Sequence, residues 1–290
     1  VAFPEQQDEV SAKGFIYGYS GSVLLLVFSL VMVQKPDWFG ITDPTLAPRI
    51  TFLLVGAWWL GFAQITFKLL PNNIFNHKPE KDYIWKGIKE LRIVLKELEG
   101  LPQLKYFLIS FFLFSVGVQT MVLMAGIFGS QELGLPTSNL IFTIILVQIV
   151  AIFGAYLFSK LSKKIGNIKT LKITLIIWGV VCFTAFSLDT NQENVDYYFY
   201  GLGIILGFVL GATQSIGRST YSKLLPETHD HATYFSFYDV TEKIAIVLGM
   251  FIFGLLVSMT GSMQYSVLFL AVFFAFAYIV LSRVKSTDFS

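Results

Sequence analysis

Gln214 and Arg218 stand four residues apart, and so on one helical face, in an otherwise apolar stretch reading GLGIILGFVLGATQSIGRSTYSKL. One polar loop later, Asp239, Glu242 and Lys243 interrupt a second apolar stretch. Placing such a charge in hydrocarbon costs about 2.5–3.5 kcal/mol, so ionisable groups at these positions mark solute paths, gates or ion-coupling sites by default. Gln119, Thr120 and Gln148 set neutral polar groups near the middle of two further apolar stretches, where they could line a cavity and bind a polar solute. Each has a plainer alternative. The amides could make interhelical hydrogen bonds worth about 0.6 kcal/mol, Asp239 and Lys243 an i,i+4 pair, and Arg218 could snorkel to the interface. These residues offer recognition and gating rather than bond making. A Gly-x-x-x-x-Gly-Lys phosphate loop and nucleophile motifs are both absent, which argues against ATP-driven transport and against an enzyme. His77, His229 and His231 lie in polar loops without cysteine or a carboxylate cluster, so neither a zinc site nor a cofactor is expected.

The elements that must hold these residues are membrane spans. Apolar residues make up 54% of the chain and charged residues 14%, against about a quarter charged in soluble domains; the mean hydropathy is +0.66. The apolar residues gather in segments of about 20, the length that crosses a core of about 30 Å. Eight spans are expected, near Phe15–Val33, Ile50–Leu70, Tyr106–Phe128, Asn139–Phe158, Leu171–Leu188, Tyr198–Tyr221, Tyr234–Met259 and Tyr265–Leu281. Gly203, Gly207, Gly211, Ser215 and Ser219 recur every fourth residue, a small-residue stripe for close helix packing. Trp58 and Trp59 sit inside the second span. The net charge of +2 gives no reason to expect nucleic acid, and the single Cys182 rules out an internal disulfide. The chain opens at Val1 without an initiator Met or a signal-peptide pattern, as a piece of a longer protein would.

Between the second and third spans, Ile84, Ile88, Leu91, Leu95 and Leu98 form an apolar helical stripe opposite Lys81, Lys86, Lys89, Arg92 and Lys96, with Gly100 and Pro102 as the stop. An amphipathic helix lying on the membrane or on helix ends is expected. The loop Lys160–Lys172 carries five lysines and no acid, whereas Asp189–Asp196 carries Asp189, Glu193 and Asp196 and no base. The lysine-rich side should be cytoplasmic, with both termini on that side. In this topology Arg218 and Asp239 lie within about two turns of the inner ends of adjacent helices. At 1.5 Å rise per residue they are close in depth, and a bidentate pair at a cytoplasmic gate is expected.

Four motifs resemble the autophagy-related vacuolar amino-acid effluxer family of the major facilitator superfamily. Pro4-Glu5, Val10-Ser11-Ala12-Lys13-Gly14 and Gly18-Tyr19-Ser20-Gly21-Ser22 are similar to the stretch before that family's fifth helix. Gly117-Val118-Gln119-Thr120 resembles its seventh helix, Gln214-Ser215-x-x-Arg218-Ser219 its tenth, and Phe237-Tyr238-Asp239-Val240-Thr241-x-Lys243 its eleventh. Three departures stand out. Val116 replaces an acidic residue. The superfamily loop Gly-x-Leu-x-Asp-Arg-x-Gly aligns on Ser159–Gly166 with Lys163 in place of its Asp. The Gly-Pro pair of helix eleven is Gly249-Met250.

The resemblance implies an all-α polytopic membrane protein of the major facilitator type, with about eight helices present of an expected twelve and the first four missing. Residues 1–70 would be the last two helices of the N-terminal bundle, 71–104 a cytoplasmic linker with the amphipathic helix, and 105–290 the C-terminal six-helix bundle. The implied function is secondary transport of small polar solutes, with amino-acid efflux the leading expectation. A non-transporting receptor or assembly protein on the same scaffold is the alternative. Gln119, Thr120, Gln148 and Gln214 would bind substrate; Arg218, Asp239, Glu242 and Lys243 would gate or couple; Gly203, Gly207, Gly211 and Ser215 would pack helices. The partners would be a small-molecule solute, the bilayer and the missing helices. The membrane would be the plasma membrane in a bacterium or the vacuolar membrane in a fungus.

Overall fold

The computed structural model describes residues 3–43, 45–70, 83–188, 194–228 and 230–285. Among these residues the secondary structure is helical throughout: α1 (Gln7–Gln34), α2 (Leu46–Leu69), α3 (Tyr83–Glu97), α4 (Pro102–Ile127), α5 (Thr137–Ile165), α6 (Asn167–Phe186), α7 (Val195–Leu224), α8 (His231–Thr260) and α9 (Met263–Leu281), with short 3-10 turns at Pro4–Gln6 and Pro36–Phe39. All but α3 are long and apolar enough to cross a membrane, at the places the hydropathy predicts. The protein is an all-α polytopic membrane protein.

The chain divides into two compact units, residues 21–86 and residues 1–20 with 87–290. In the smaller unit Met32, Ile41 and Ala47 form a core joined by Ile50 and Leu54. Trp58 lies across the open face of Gly21, 3.9 Å from where a Cβ would stand, and against Phe62 with ring centroids 4.8 Å apart.

The larger unit is built on α4 and α7, both buried along most of their lengths. The most extensive helix pair is α5 with α7, and glycines set its closeness. A Cβ on Gly207 would stand 2.5 Å from the carbonyl oxygen of Val147, one on Gly211 would collide with that of Ala151, and one on Gly154 would collide with that of Phe208. Gly203 meets a side chain instead, Thr143 Cγ2 at 2.8 Å. The stripe therefore lies on α5 as far as Gly211. Below it Ser215 turns to α1, its carbonyl accepting the Ser11 hydroxyl at 2.7 Å. Cross-ties replace the missing hydrophobic drive elsewhere: Trp178 Nε1 donates to Thr213 at 2.9 Å while its ring stacks on Phe274, the Ser110 hydroxyl donates to the Ala277 carbonyl at 2.8 Å, and Gln264 donates to the Leu188 carbonyl. Gly249, where the resemblance would have a Gly-Pro kink, lies against Thr120 and 2.8 Å from the Val116 carbonyl oxygen, counted from a Cβ.

Two expectations change. The apolar stripe of α3 is buried only in part. Leu91, Val94 and Leu98 turn inward while Ile88 and Leu95 stay exposed, and the side chain of Ile84 lies outside the described residues. The apolar arc of this helix is about 120° wide, and only one edge meets the bundle. The Lys160–Lys172 stretch is not a loop. α5 runs to Ile165 and α6 starts at Asn167, so the lysines decorate two abutting helix ends joined by Gly166 alone. Its φ of 86° favours glycine. Asp189, Glu193, His77 and His229 lie outside the described residues.

Gly207→Leu and Gly211→Leu should each lower the melting temperature in detergent, since overpacking costs about 1–3 kcal/mol and the opposing atoms are backbone. Gly254→Leu, where a Cβ meets nothing within 4 Å, should leave it unchanged. Equal melting of all three would separate α5 and α7.

Candidate functional site

The α7–α8 corner carries most of the polar residues singled out in the sequence. Aromatic stacking holds it: Tyr238 lies on Phe111 with ring centroids 3.9 Å apart and on Tyr221 at 4.7 Å. The Tyr221 hydroxyl donates to the Tyr234 carbonyl at 2.6 Å, fastening the last turn of α7 to the first of α8. Asp230 caps α8 by accepting the Thr233 amide at 3.2 Å.

Above this stack lies a cavity of about 240 Å³ whose walls bring together Gln119, Gln214, Arg218, Asp239 and Glu242, with Ser115, Phe15 and Tyr238. Gln119 Nε2 donates to Glu242 Oε1 at 2.6 Å, linking α4 to α8. Gln214 accepts the Tyr19 hydroxyl at 2.7 Å, linking α7 to α1. Five of the eight expected binding and gating residues thus share one cavity.

The other three do not. Thr120 is buried and faces Gly249, because one residue along a helix turns the side chain about 100° away from Gln119. Gln148 is half-buried on α5 and does not line the cavity. The Lys243 side chain is 72% exposed and 3.9 Å from Glu242, and the alternative i,i+4 pair with Asp239 does not form.

Arg218 and Asp239 line the same cavity but do not bridge: among the described residues no carboxylate lies within 4.0 Å of either Arg218 or Lys243 except Glu242 beside Lys243. Arg218 instead sits 5.6 Å from the centre of the Phe235 ring, one turn before Asp239 on α8. A cation over an aromatic face keeps part of its attraction without surrendering its donors. Both charges stay available to a third group.

A buried pair does exist one turn away, with partners the sequence did not reveal. Asp8 of α1 accepts Lys223 Nζ at 2.7 Å; the side chains are 2% and 8% exposed. Asn167 Nδ2 donates to the other Asp8 oxygen at 2.8 Å, and Ser162 donates at 3.1 Å. Lys223 also reaches Asn167 Oδ1 at 3.1 Å, and Asn167 Nδ2 lies 3.2 Å from the hydroxyl oxygens of both Ser219 and Thr220. The ends of α5, α6 and α7 thereby close on one carboxylate from α1. Lys163, at the position where the superfamily loop has its Asp, bridges Glu9 of the same helix at 2.9 Å. Both acids of these pairs come from α1, and the lysines from α5 and α7. The signal in the sequence was an Asp-Glu pair opening a span and a Lys closing another.

Solved structures share the fold of the chain. A bacterial homologue of the iron transporter ferroportin in the outward-facing state aligns with a TM-score of 0.58 at 15% identity, and the same homologue with soaked iron with 0.60 at 16%. Each alignment covers 98% of this chain and 65% of the other. At that identity the likeness concerns the fold alone, a bundle of long helices. The profile of the family described as "Vacuole effluxer Atg22 like" matches residues 4–288, and the chain belongs to that family. Among its relatives, an MFS-type transporter of Bacillus subtilis, YxiO, is 26% identical over 97% of this chain and 65% of its own length. Autophagy-related protein 22 of Kluyveromyces lactis is 28% identical over 91% of this chain and 55% of its own. The chain thus spans less than two thirds of either relative.

Lys223→Met should cost about 3–5 kcal/mol, the usual penalty for leaving a buried charge without its partner, seen as a fall in melting temperature in detergent. Adding Asp8→Asn should recover most of the loss. A single change that melts like the parent would mean that water, not Lys223, stabilises Asp8.

Proposed function

We propose that the chain is the C-terminal portion of a secondary active transporter that exports small zwitterionic solutes, amino acids foremost, by alternating access. The observation that supports this most is the cavity itself, where a guanidinium and two carboxylates face common space and, among the described residues, Arg218 and Asp239 remain unbridged. A solute with an ammonium and a carboxylate can complete both charges at once. A solute with one charge leaves a partner desolvated, which disfavours it. At about 240 Å³ the cavity falls below the 300–1,000 Å³ of drug-sized sites, in keeping with a solute of few atoms. Phe15, Phe111 and Phe114 add apolar wall for a side chain.

In this reading Arg218 takes the carboxylate, Asp239 the ammonium, and Gln119 and Gln214 orient the solute. Glu242, held by Gln119, and Asp239 are the groups through which a proton gradient would couple. Residues 1–70, 71–104 and 105–290 then correspond to the end of a first bundle, a linker and a second bundle, and the two bundles rock about a site between them. The lysine-rich helix ends face the cytoplasm. The membrane is vacuolar or plasma according to the organism.

Counterflow of labelled amino acids in proteoliposomes holding the complete protein tests the reading. Arg218→Gln should raise the KM of neutral amino acids by about 10–100-fold, as loss of a charged hydrogen bond implies, and should spare a matched amine lacking the carboxylate. Asp239→Asn should do the converse. Absence of flux for every amino acid under every gradient, with binding intact, would replace the transporter by a receptor.

A further inference from the structure

The joint between α5 and α6 opens onto a second cavity, of about 820 Å³, that the solute site does not use. Five lysines line it (Lys163, Lys164, Lys169, Lys172 and Lys223) against two carboxylates, Glu5 and Asp8. Two of the lysines are engaged, Lys163 with Glu9 and Lys223 with Asp8. Among the described residues, Lys164, Lys169 and Lys172 have no carboxylate within 4.0 Å.

This basic mouth continues into apolar walls. Ile173, Ile176 and Tyr278 line the same cavity. Ile176 and Tyr278 also line a neighbouring, almost wholly apolar groove of about 350 Å³ between α6 and α9, bounded further on by Gly179, Phe183 and Ile279. Lys172 marks the boundary, its ammonium 5.6 Å from the centre of the Tyr278 ring. From Lys172 to Phe183 the helix rises about 16 Å at 1.5 Å per residue, close to half of a hydrocarbon core of about 30 Å. Gly179 keeps the floor open, since a Cβ there meets nothing within 4 Å.

We propose that this groove holds one anionic phospholipid, its phosphate among Lys164, Lys169 and Lys172 and one acyl chain along α6 and α9. Free phosphate would use the lysines alone and gain nothing from the apolar groove. A zwitterionic lipid would use the groove and gain little from the lysines. The lysine excess places the mouth on the cytoplasmic side, where the leaflet carries negative surface potential and basic pockets between helices bind anionic head groups. The site depends neither on the solute carried nor on the transport reading.

The test is lipid retention by the protein purified in detergent, read by native mass spectrometry and by melting. The probes are phosphatidylglycerol, phosphatidylcholine with the same chains, and glycerol 3-phosphate. Phosphatidylglycerol should be retained and should raise the melting temperature, and the other two should do neither. Lys164 and Lys169 are exposed and Lys172 is half-buried at the groove's edge; Lys164→Gln, Lys169→Gln and Lys172→Gln together should weaken retention by on the order of a hundredfold, about 1 kcal/mol per lysine at an anionic surface. Gly179→Phe should expel the lipid while melting like the parent in lipid-free detergent. Equal retention of phosphatidylcholine, comparable binding of glycerol 3-phosphate, or parental retention by the triple variant would each overturn the proposal.

Discussion

The contact between α5 and α7 is backbone against backbone, and the larger unit depends on it. Lipid tails are as apolar as leucine, so two helices in a bilayer gain nothing by hiding apolar side chains from each other. What remains is van der Waals contact, which needs closeness. Gly154, Gly207 and Gly211 supply it by having no Cβ where carbonyl oxygens of the partner helix stand. Once α7 is seated in this way, everything polar that it carries is seated too. Gln214 meets Tyr19, Arg218 faces the cavity, and Lys223 reaches Asp8.

The two basic residues of α7 show how little separates a structural charge from an available one. Arg218 and Lys223 are five residues apart, which turns them about 140° around the helix axis. Lys223 points to the crowded junction of α1, α5 and α6, where desolvation is offset only because Asp8, Asn167 and Ser162 saturate one another. Such a pair adds little net stability over apolar residues of the same size. It does bind four helix ends to one geometry. Arg218 points to open space and an aromatic ring, so its charge is not consumed within the protein. Its helix is still held firmly, because Tyr221 ties α7 to the start of α8.

The spans and the packing stripe were legible in the sequence because both follow from one chain's own periodicity. Eight runs of about 20 apolar residues and small residues at every fourth position required no knowledge of neighbours. The partners were not legible. Arg218 and Asp239 are close in depth, which rise per residue predicts, but pairing also requires facing directions, and those depend on how two helices rotate against each other. Of Gln119 and Thr120, about 100° apart on one helix, the same rotation decides which one meets the cavity. For α3, the pattern showed a broad apolar arc without saying which edge the bundle would take, and it took the edge with Val94. The Asp8–Lys223 pair joins residues 215 apart, beyond the reach of any local pattern.

That separation has a consequence for how the protein is made. Synthesis proceeds at about 5–20 residues per second, so about 10–40 s pass between emergence of Asp8 and of Lys223. The neutral partners Ser162 and Asn167 come 154 and 159 residues after Asp8. Throughout that interval the first turn of α1 carries a carboxylate with no cation to receive it, and hydrocarbon will not accept it bare. The first turn of α1 therefore stays at the water interface while the middle of the chain is laid down. α1 is made well before α7, and its contact with Lys223 can form only once the ribosome has reached the end of α7.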